Sequence, residues 1–412
     1  MAGMSTGEII SCHECDHYHR YVPIPAGATA SCDFCGSVLY KNSANSLNRS
    51  LALYITAFIL FLIANFFPFL SLTLGGRVVD NVLISGGWAM YEMGMGDLGL
   101  LIFMTSIGFP LVTILGMLYL LVPVKFGVLP PAAGRVYRYS EMVTPWSLVS
   151  VFMLGVLIAI VKLQDIANVI IGTSFFALTG LLIIYAAARA NFDRQVIWSL
   201  MPFSNPHEDE LDEDALYLNC HTCGLLTKED GHGQHCPRCT TPLHHRKVNS
   251  IEPTWALLFA ATILIIPANL YPVMTVIRFG QGEPSTILSG VLHLIEGGMW
   301  GLAMIVFVAS IVVPVLKLIV LSYLLISVQK KSLSRPKDRT QLFRITEVVG
   351  AWSMVDIFLV GLLSALVSLD ALSTISPGIG ASFFAAVVVV TMFAAHSFDP
   401  RLIWDNIREA EA

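Results

Sequence analysis

The residues in this chain best equipped for chemistry are its eight cysteines, and all of them stand in C-x-x-C pairs. Cys12-His-Glu-Cys15 and Cys32-Asp-Phe-Cys35 are separated by 16 residues, Cys220-His-Thr-Cys223 and Cys236-Pro-Arg-Cys239 by 12. A C-x-x-C turn brings two thiolates together, and two such turns complete a tetrahedron. The spacing predicts two zinc ribbons with one structural zinc ion each, held by Cys12, Cys15, Cys32 and Cys35 and by Cys220, Cys223, Cys236 and Cys239. Four protein ligands leave no position for a reacting water, so the metal would fold its ribbon rather than catalyse. Rubredoxin-like iron is the alternative metal. A thioredoxin-type dithiol is the alternative chemistry; pairs that come in fours, on the reducing side of the membrane, weigh against it. Histidines such as His13, His19, His221 and His235 crowd the motifs, but four cysteines already fill each site, so these read as surface residues.

The remainder of the chain says what carries the ribbons. Of 412 residues, 55% are hydrophobic and 13% charged, against roughly 25% charged in a soluble domain. A water-soluble enzyme and a disordered chain are both excluded. Nucleic acid is not expected as a partner, because no basic face is available for phosphates. About 20 apolar residues cross a bilayer core as a helix. Eight stretches qualify: 51–74, 98–124, 147–166, 168–188, 253–277, 299–328, 348–369 and 379–398. With the N-terminus in the cytoplasm, 20 of the 24 Lys and Arg fall in cytoplasmic segments and only Arg77 and Arg278 in outer loops. That bias places both termini and both ribbons in the cytoplasm.

The sequence also repeats. Ala64-Asn65-Phe66-Phe67-Pro68 matches Ala268-Asn269-Leu270-Tyr271-Pro272 at an offset of 204, which also carries Pro110 to Pro314 and Tyr119 to Tyr323. At an offset of 206, Glu141 and Trp146 match Glu347 and Trp352. Each half has an even number of spans, so the halves run parallel. The expected fold is an all-α polytopic membrane protein of eight transmembrane helices in two four-helix repeats, each preceded by a ribbon. Its divisions are ribbon 1 (1–46), transmembrane domain 1 (47–200), an acidic linker (201–215), ribbon 2 (216–248) and transmembrane domain 2 (249–412). Gly75-Gly76, between Leu72–Leu74 and Val78–Val82, reads either as a hairpin or as an irregular outer loop, with a counterpart at Gly280–Gly282. Short turns are expected near Gln164–Asn168 and over Ser373–Gly380.

No phosphate loop, H-E-x-x-H or G-x-S-x-G motif occurs, so no enzymatic activity is expected. The candidate working residues are polar ones inside the spans. Lys317 and Asp356 lie at similar depth on consecutive antiparallel spans. An unpaired charge there costs at least about 2.5–3.5 kcal/mol, so the two are expected to pair. Their first-half equivalents, Thr113 and Ser150, are uncharged. Asn65 and Asn269 each precede a proline by three residues, which predicts a repaired kink within the span. Lys162, nearer the outer end of its span, is a weaker candidate that can snorkel.

The chain resembles the paraquat-inducible protein A family of Gram-negative inner membranes. The resemblance rests on Pro267-Ala268-Asn269-Leu270-Tyr271-Pro272, Thr286-Ile287-Leu288-Ser289-Gly290-Val291, Trp352-Ser353-Met354-Val355-Asp356 and Phe398-Asp399-Pro400-Arg401-Leu402-Ile403-Trp404-Asp405, within the duplicated ribbon-plus-four-span plan. It implies an inner-membrane subunit that works beside a periplasm-spanning tunnel of MCE domains, moving membrane lipids between membranes and maintaining the envelope. The residues themselves also suit an ion- or proton-coupled carrier of small solutes, or a membrane scaffold without transport activity.

Overall fold

The structure, a computed structural model, describes residues 7–74, 77–164, 168–198, 200–201, 203–207, 210, 212, 215–229, 234–278, 281–366 and 373–411. Over these residues it is mostly helical, and eight of the described helices are long and apolar enough to cross a membrane. The chain is a multi-pass membrane protein built as two like halves. In each, the first and fourth spans lie side by side: Ser46–Phe66 against Thr173–Asn191, and Ile251–Leu270 against Ile379–Ser397.

The prolines act differently from the expectation. Pro68 and Pro272 do not kink a span; they stand beyond its end. The helices stop at Phe66 and Leu270, so spans 51–74 and 253–277 are shorter than their apolar runs. The reason is local: the residues before or near proline are pushed out of the helical region, and Phe67 and Tyr271 are already extended (φ/ψ −99/159° and −82/148°). Asn65 and Asn269 donate to the carbonyls of Phe61 and Ile265, each at 2.8 Å, within their own last turns.

Past the prolines the chain forms strands. Leu70–Leu74 pairs antiparallel with Arg77–Asn81, and Met274–Arg278 with Gln281–Ser285, which decides for hairpins over irregular loops; Gly75, Gly76 and Gly280 themselves lie outside the described residues. Each hairpin gains a third strand that the sequence did not suggest, Asn168–Ile171 in the first half and Ser373–Pro377 in the second. Ser373–Pro377 corrects the expected turn there, because β-branched Thr374 and Ile375 extend along the free edge of the hairpin; residues 165–167 of the other turn lie outside the described residues. Gly172 and Gly378, equivalent in the repeat, make this docking possible: a Cβ on either would collide with the carbonyl of Pro68 or Pro272.

The second span of each half is broken at the same place. Met104–Gly108 and Val308–Val312 are π-helical, set between α-helical stretches. Pro110 and Pro314 follow and supply no N–H, which relaxes the ladder one turn earlier. The halves meet where Val149–Gln164 packs on Val355–Leu366. Phe152 and Phe358 cross edge to face at 5.3 Å, and Gly155 lets Phe358 approach. The short helix Ser85–Glu92 of the first half also packs on Val355–Leu366; its equivalent Ile287–Glu296 packs on its neighbour Trp300–Phe307 and leaves Leu288 and Leu292 half exposed.

Candidate functional site

Both cysteine sets converge. In each, the four sulfurs lie within 4.8 Å of one another and all four residues are buried. Cys12–Cys35 and Cys15–Cys32 sulfurs are 3.5 Å apart, Cys220–Cys239 3.4 Å and Cys223–Cys236 3.5 Å. A tetrahedral zinc–thiolate centre has sulfurs about 3.8 Å apart, from its bond length near 2.3 Å, so the cysteines fit one metal ion per ribbon. The turns explain the convergence. Four residues beyond Cys12, Cys32, Cys220 and Cys236 stands a residue of positive φ: Asp16, Gly36, Gly224 and Thr240. The N–H of each returns to the carbonyl of that cysteine at 2.7–2.8 Å. A hydroxyl then lies against the thiols of each ribbon, Ser37 at 2.9 Å from Cys12 and Thr241 at 3.1 Å from Cys239. Among the described residues no histidine joins either set; His19 touches Cys32 from outside, Nε2 to Sγ 3.2 Å.

The ribbons cross over, each packing on the transmembrane helices of the other half. Ribbon 1 joins a core with Leu321, Leu325, Phe343 and Trp404 of the second half. Arg344 grips it, donating to both oxygens of Glu14 and, at 3.3 Å, to the carbonyl of Cys35. Arg246, near the end of ribbon 2, ties Asp16 to Asp405. Hydrogen bonds from Arg246 and Ser11 outweigh burial and hold the Asp16 carboxyl below its ordinary range. Ribbon 2 sits on the first half, where Arg138 donates to the Thr240 carbonyl at 3.2 Å and Arg238 lies 5.5 Å over the Trp198 ring. Arg138 and Arg344 are equivalent at the offset of 206, so one repeated arginine clasps both ribbons. Gly134 admits the Arg238 carbonyl at a distance no side chain would allow.

The family follows from these halves taken together. The Paraquat-inducible protein A profile matches residues 47–201 and 251–408, the two transmembrane halves. The chain belongs to the paraquat-inducible protein A family. It is 32% identical over 414 residues to intermembrane transport protein PqiA of Escherichia coli K12, covering 98% of this chain and 97% of that one. It is 30% identical over 400 residues to lipophilic envelope-spanning tunnel protein A of the same organism (97% and 92%) and 29% over 406 residues to a probable intermembrane transport protein of Haemophilus influenzae (96% and 96%). No solved structure matches.

Within this family fold the second half holds the buried charges. Lys317 is 3% and Asp356 6% exposed. Among the described residues no ion pair joins them. The carboxylate whose field reaches Lys317 is Glu347, on the helix Pro336–Gly350. The Lys317 stem lies along Gly350: a Cβ there would stand 2.6 Å from Nζ. Asp356 stands in the first turn of the next helix, Val355–Leu366. Around them the hydroxyls of Ser310 and Ser364 are buried without a hydrogen-bond partner among the described residues. The π segment that carries Ser310 packs on Ala351–Met354 and on Val355–Leu366, so these polar groups share one region of the bundle. Glu347 and Gly350 went unmarked in the sequence, although the match of Glu141 to Glu347 was a signal. The side chain of Lys162 lies outside the described residues.

Proposed function

We propose that this protein is the inner-membrane subunit of a system that moves lipids, phospholipids among them, between two membranes, and that it works with a periplasm-spanning partner of MCE domains. In this reading it is not an enzyme. Its ribbons each hold a structural zinc ion, and both ribbons and both termini face the cytoplasm, as the Lys and Arg distribution supports. The domain divisions given above follow the same plan. The intermembrane transport named for its relatives supports the role.

The observation that carries a working site is that, among the described residues, the charged side chains buried inside the spans, Lys317 and Asp356, both belong to the second half. Lys317 and Asp356 are buried in an apolar bundle, where taking a charge out of water costs free energy, and the Ser310 and Ser364 hydroxyls lie in the same region. Intramembrane ionisable groups that are retained at such cost serve function by default. Lys317 is 12 residues from Gln329, roughly 18 Å from that helix end at 1.5 Å per residue. It is placed to attract a lipid headgroup drawn between the helices, with Asp356 shaping the polar path; Asn269 ends the neighbouring span above it, and Asn65 and Lys162 hold lesser positions. The test is lipid transfer with Lys317→Met, Asp356→Leu and the double variant. Because the two do not pair, the double variant should keep normal abundance without regaining transfer. Full transfer by the double variant would falsify the site.

A further inference from the structure

The first half carries a cavity at the place where the second half carries Lys317. It measures about 160 Å³ and reaches from Thr113, the repeat equivalent of Lys317, to Arg189 and Arg194. At roughly 30 Å³ per water it has room for about five waters. The two halves differ here position by position. Tyr54, Tyr137, Thr144 and Arg189 of the first half face Leu258, Phe343, Gly350 and Ala395 of the second at the offsets of 204 and 206. The second half thus buries its cation deep among apolar residues, and the first leaves the depth empty and sets cations at the mouth.

Three observations show what the cavity suits. Arg189 lies in the last turn of Thr173–Asn191 and Arg194 just past it, at the ribbon end of the bundle. That is the level of the headgroups in the leaflet that the charge bias makes cytoplasmic. No hydrogen bond or ion pair engages either guanidinium among the described residues, although Arg189 acts on the Tyr54 hydroxyl and Arg194 on that of Tyr137. Glu141 is the one carboxylate in the described lining, so the cations outnumber it. The floor is different: Thr113 and Thr144 donate to Phe109 and Ser140 carbonyls at 2.9 and 2.7 Å, which uses their protons within the helices. The mouth, where the cations stand, is therefore the end of the cavity that suits an anion. Glu141 and Arg194 also line a larger cleft of about 550 Å³ between the two ribbons, so the site has a way in from the ribbon side.

We propose that this first-half cavity binds a phosphate group, clamped by Arg189 and Arg194 with the Tyr54 hydroxyl beneath them. The arginine fork matches phosphate oxygens in pairs. The phosphate belongs either to a phospholipid entering from the leaflet or to a free anion entering through the cleft. The site is separate from Lys317 and stands whether or not the chain transports lipid.

The test is calorimetric titration of the full-length protein in detergent with two probes, dihexanoyl phosphatidylglycerol and inorganic phosphate. Wild type should bind at least one. Arg189→Gln with Arg194→Gln should weaken it by about tenfold or more, as loss of charge-assisted bonds implies. Arg189→Lys with Arg194→Lys, which keeps the charge, should weaken it less. Binding of the lipid alone assigns a headgroup site; binding of both probes assigns a site for free phosphate as well. Should the double glutamine variant not fold, Arg194→Gln alone, outside the transmembrane helix, should still weaken binding. Absence of binding of either probe to wild type, or unchanged binding by a folded glutamine variant, would overturn the proposal.

Discussion

Set side by side, the two halves are one scaffold with two polar interiors. Both have the same strand-linked spans, the same π segment ahead of a proline and the same arginine reaching for a ribbon. At the equivalent of Thr113, Ser150 and Ile158 the second half has Lys317, Asp356 and Ser364. The Ser106 hydroxyl is satisfied by the Ile102 carbonyl at 2.6 Å, while its equivalent Ser310 has no hydrogen-bond partner among the described residues. The difference teaches that the fold needs none of these charges. A four-span half closes without them, so their presence in the other half answers to something besides stability, which buried ion groups serve poorly in any case.

The crossed ribbons make the comparison breakable. The largest effect should come from the metal ligands, since metal contributes on the order of 10 kcal/mol to small zinc-finger peptides. Cys12→Ser should deprotect the far half in hydrogen exchange, at Pro336–Gly350 and Leu402–Glu411, and Cys220→Ser should deprotect Ala133–Val143. If each substitution loosened its own half instead, the crossing would be wrong. A smaller effect sharpens the same point. Arg344→Ala removes a paired contact to Glu14 and should cost ribbon 1 docking about 1 kcal/mol, the upper range for a partly exposed pair. Arg138→Ala removes one bond to a carbonyl at an exposed site and should stay within about 0.5 kcal/mol. Thermal unfolding of the two variants measures the order, and equal losses would show that Glu14 adds nothing.

Much of this was written in the sequence because the signals are local or periodic. C-x-x-C pairs dictate where thiolates go, and long apolar runs dictate spans whatever their neighbours do. Span ends were misplaced because Leu70, Leu72 and Leu74 are as apolar as the helix before them, and hydropathy does not separate a strand from a helix. The third strands escaped notice because Asn168–Ile171 and Ser373–Pro377 find their partners about a hundred residues away. The expected Lys317–Asp356 pair failed for a related reason: equal depth fixes height along the membrane and not the side of the helix. Gly350, which lets the lysine lie flat toward Glu347, looks like any helical glycine until the structure brings the two helices together.

The division of labour between halves comes down to Lys317. Lys317→Thr gives the second half the residue that the first half already has at Thr113, and the first half shows that such a bundle folds. Lipid transfer by this variant, measured at matched abundance, should fall by about tenfold or more, the scale of losing one charged hydrogen-bonding group. Transfer at the wild-type rate would contradict a working site in the second half and return Lys317 to the role of a structural residue.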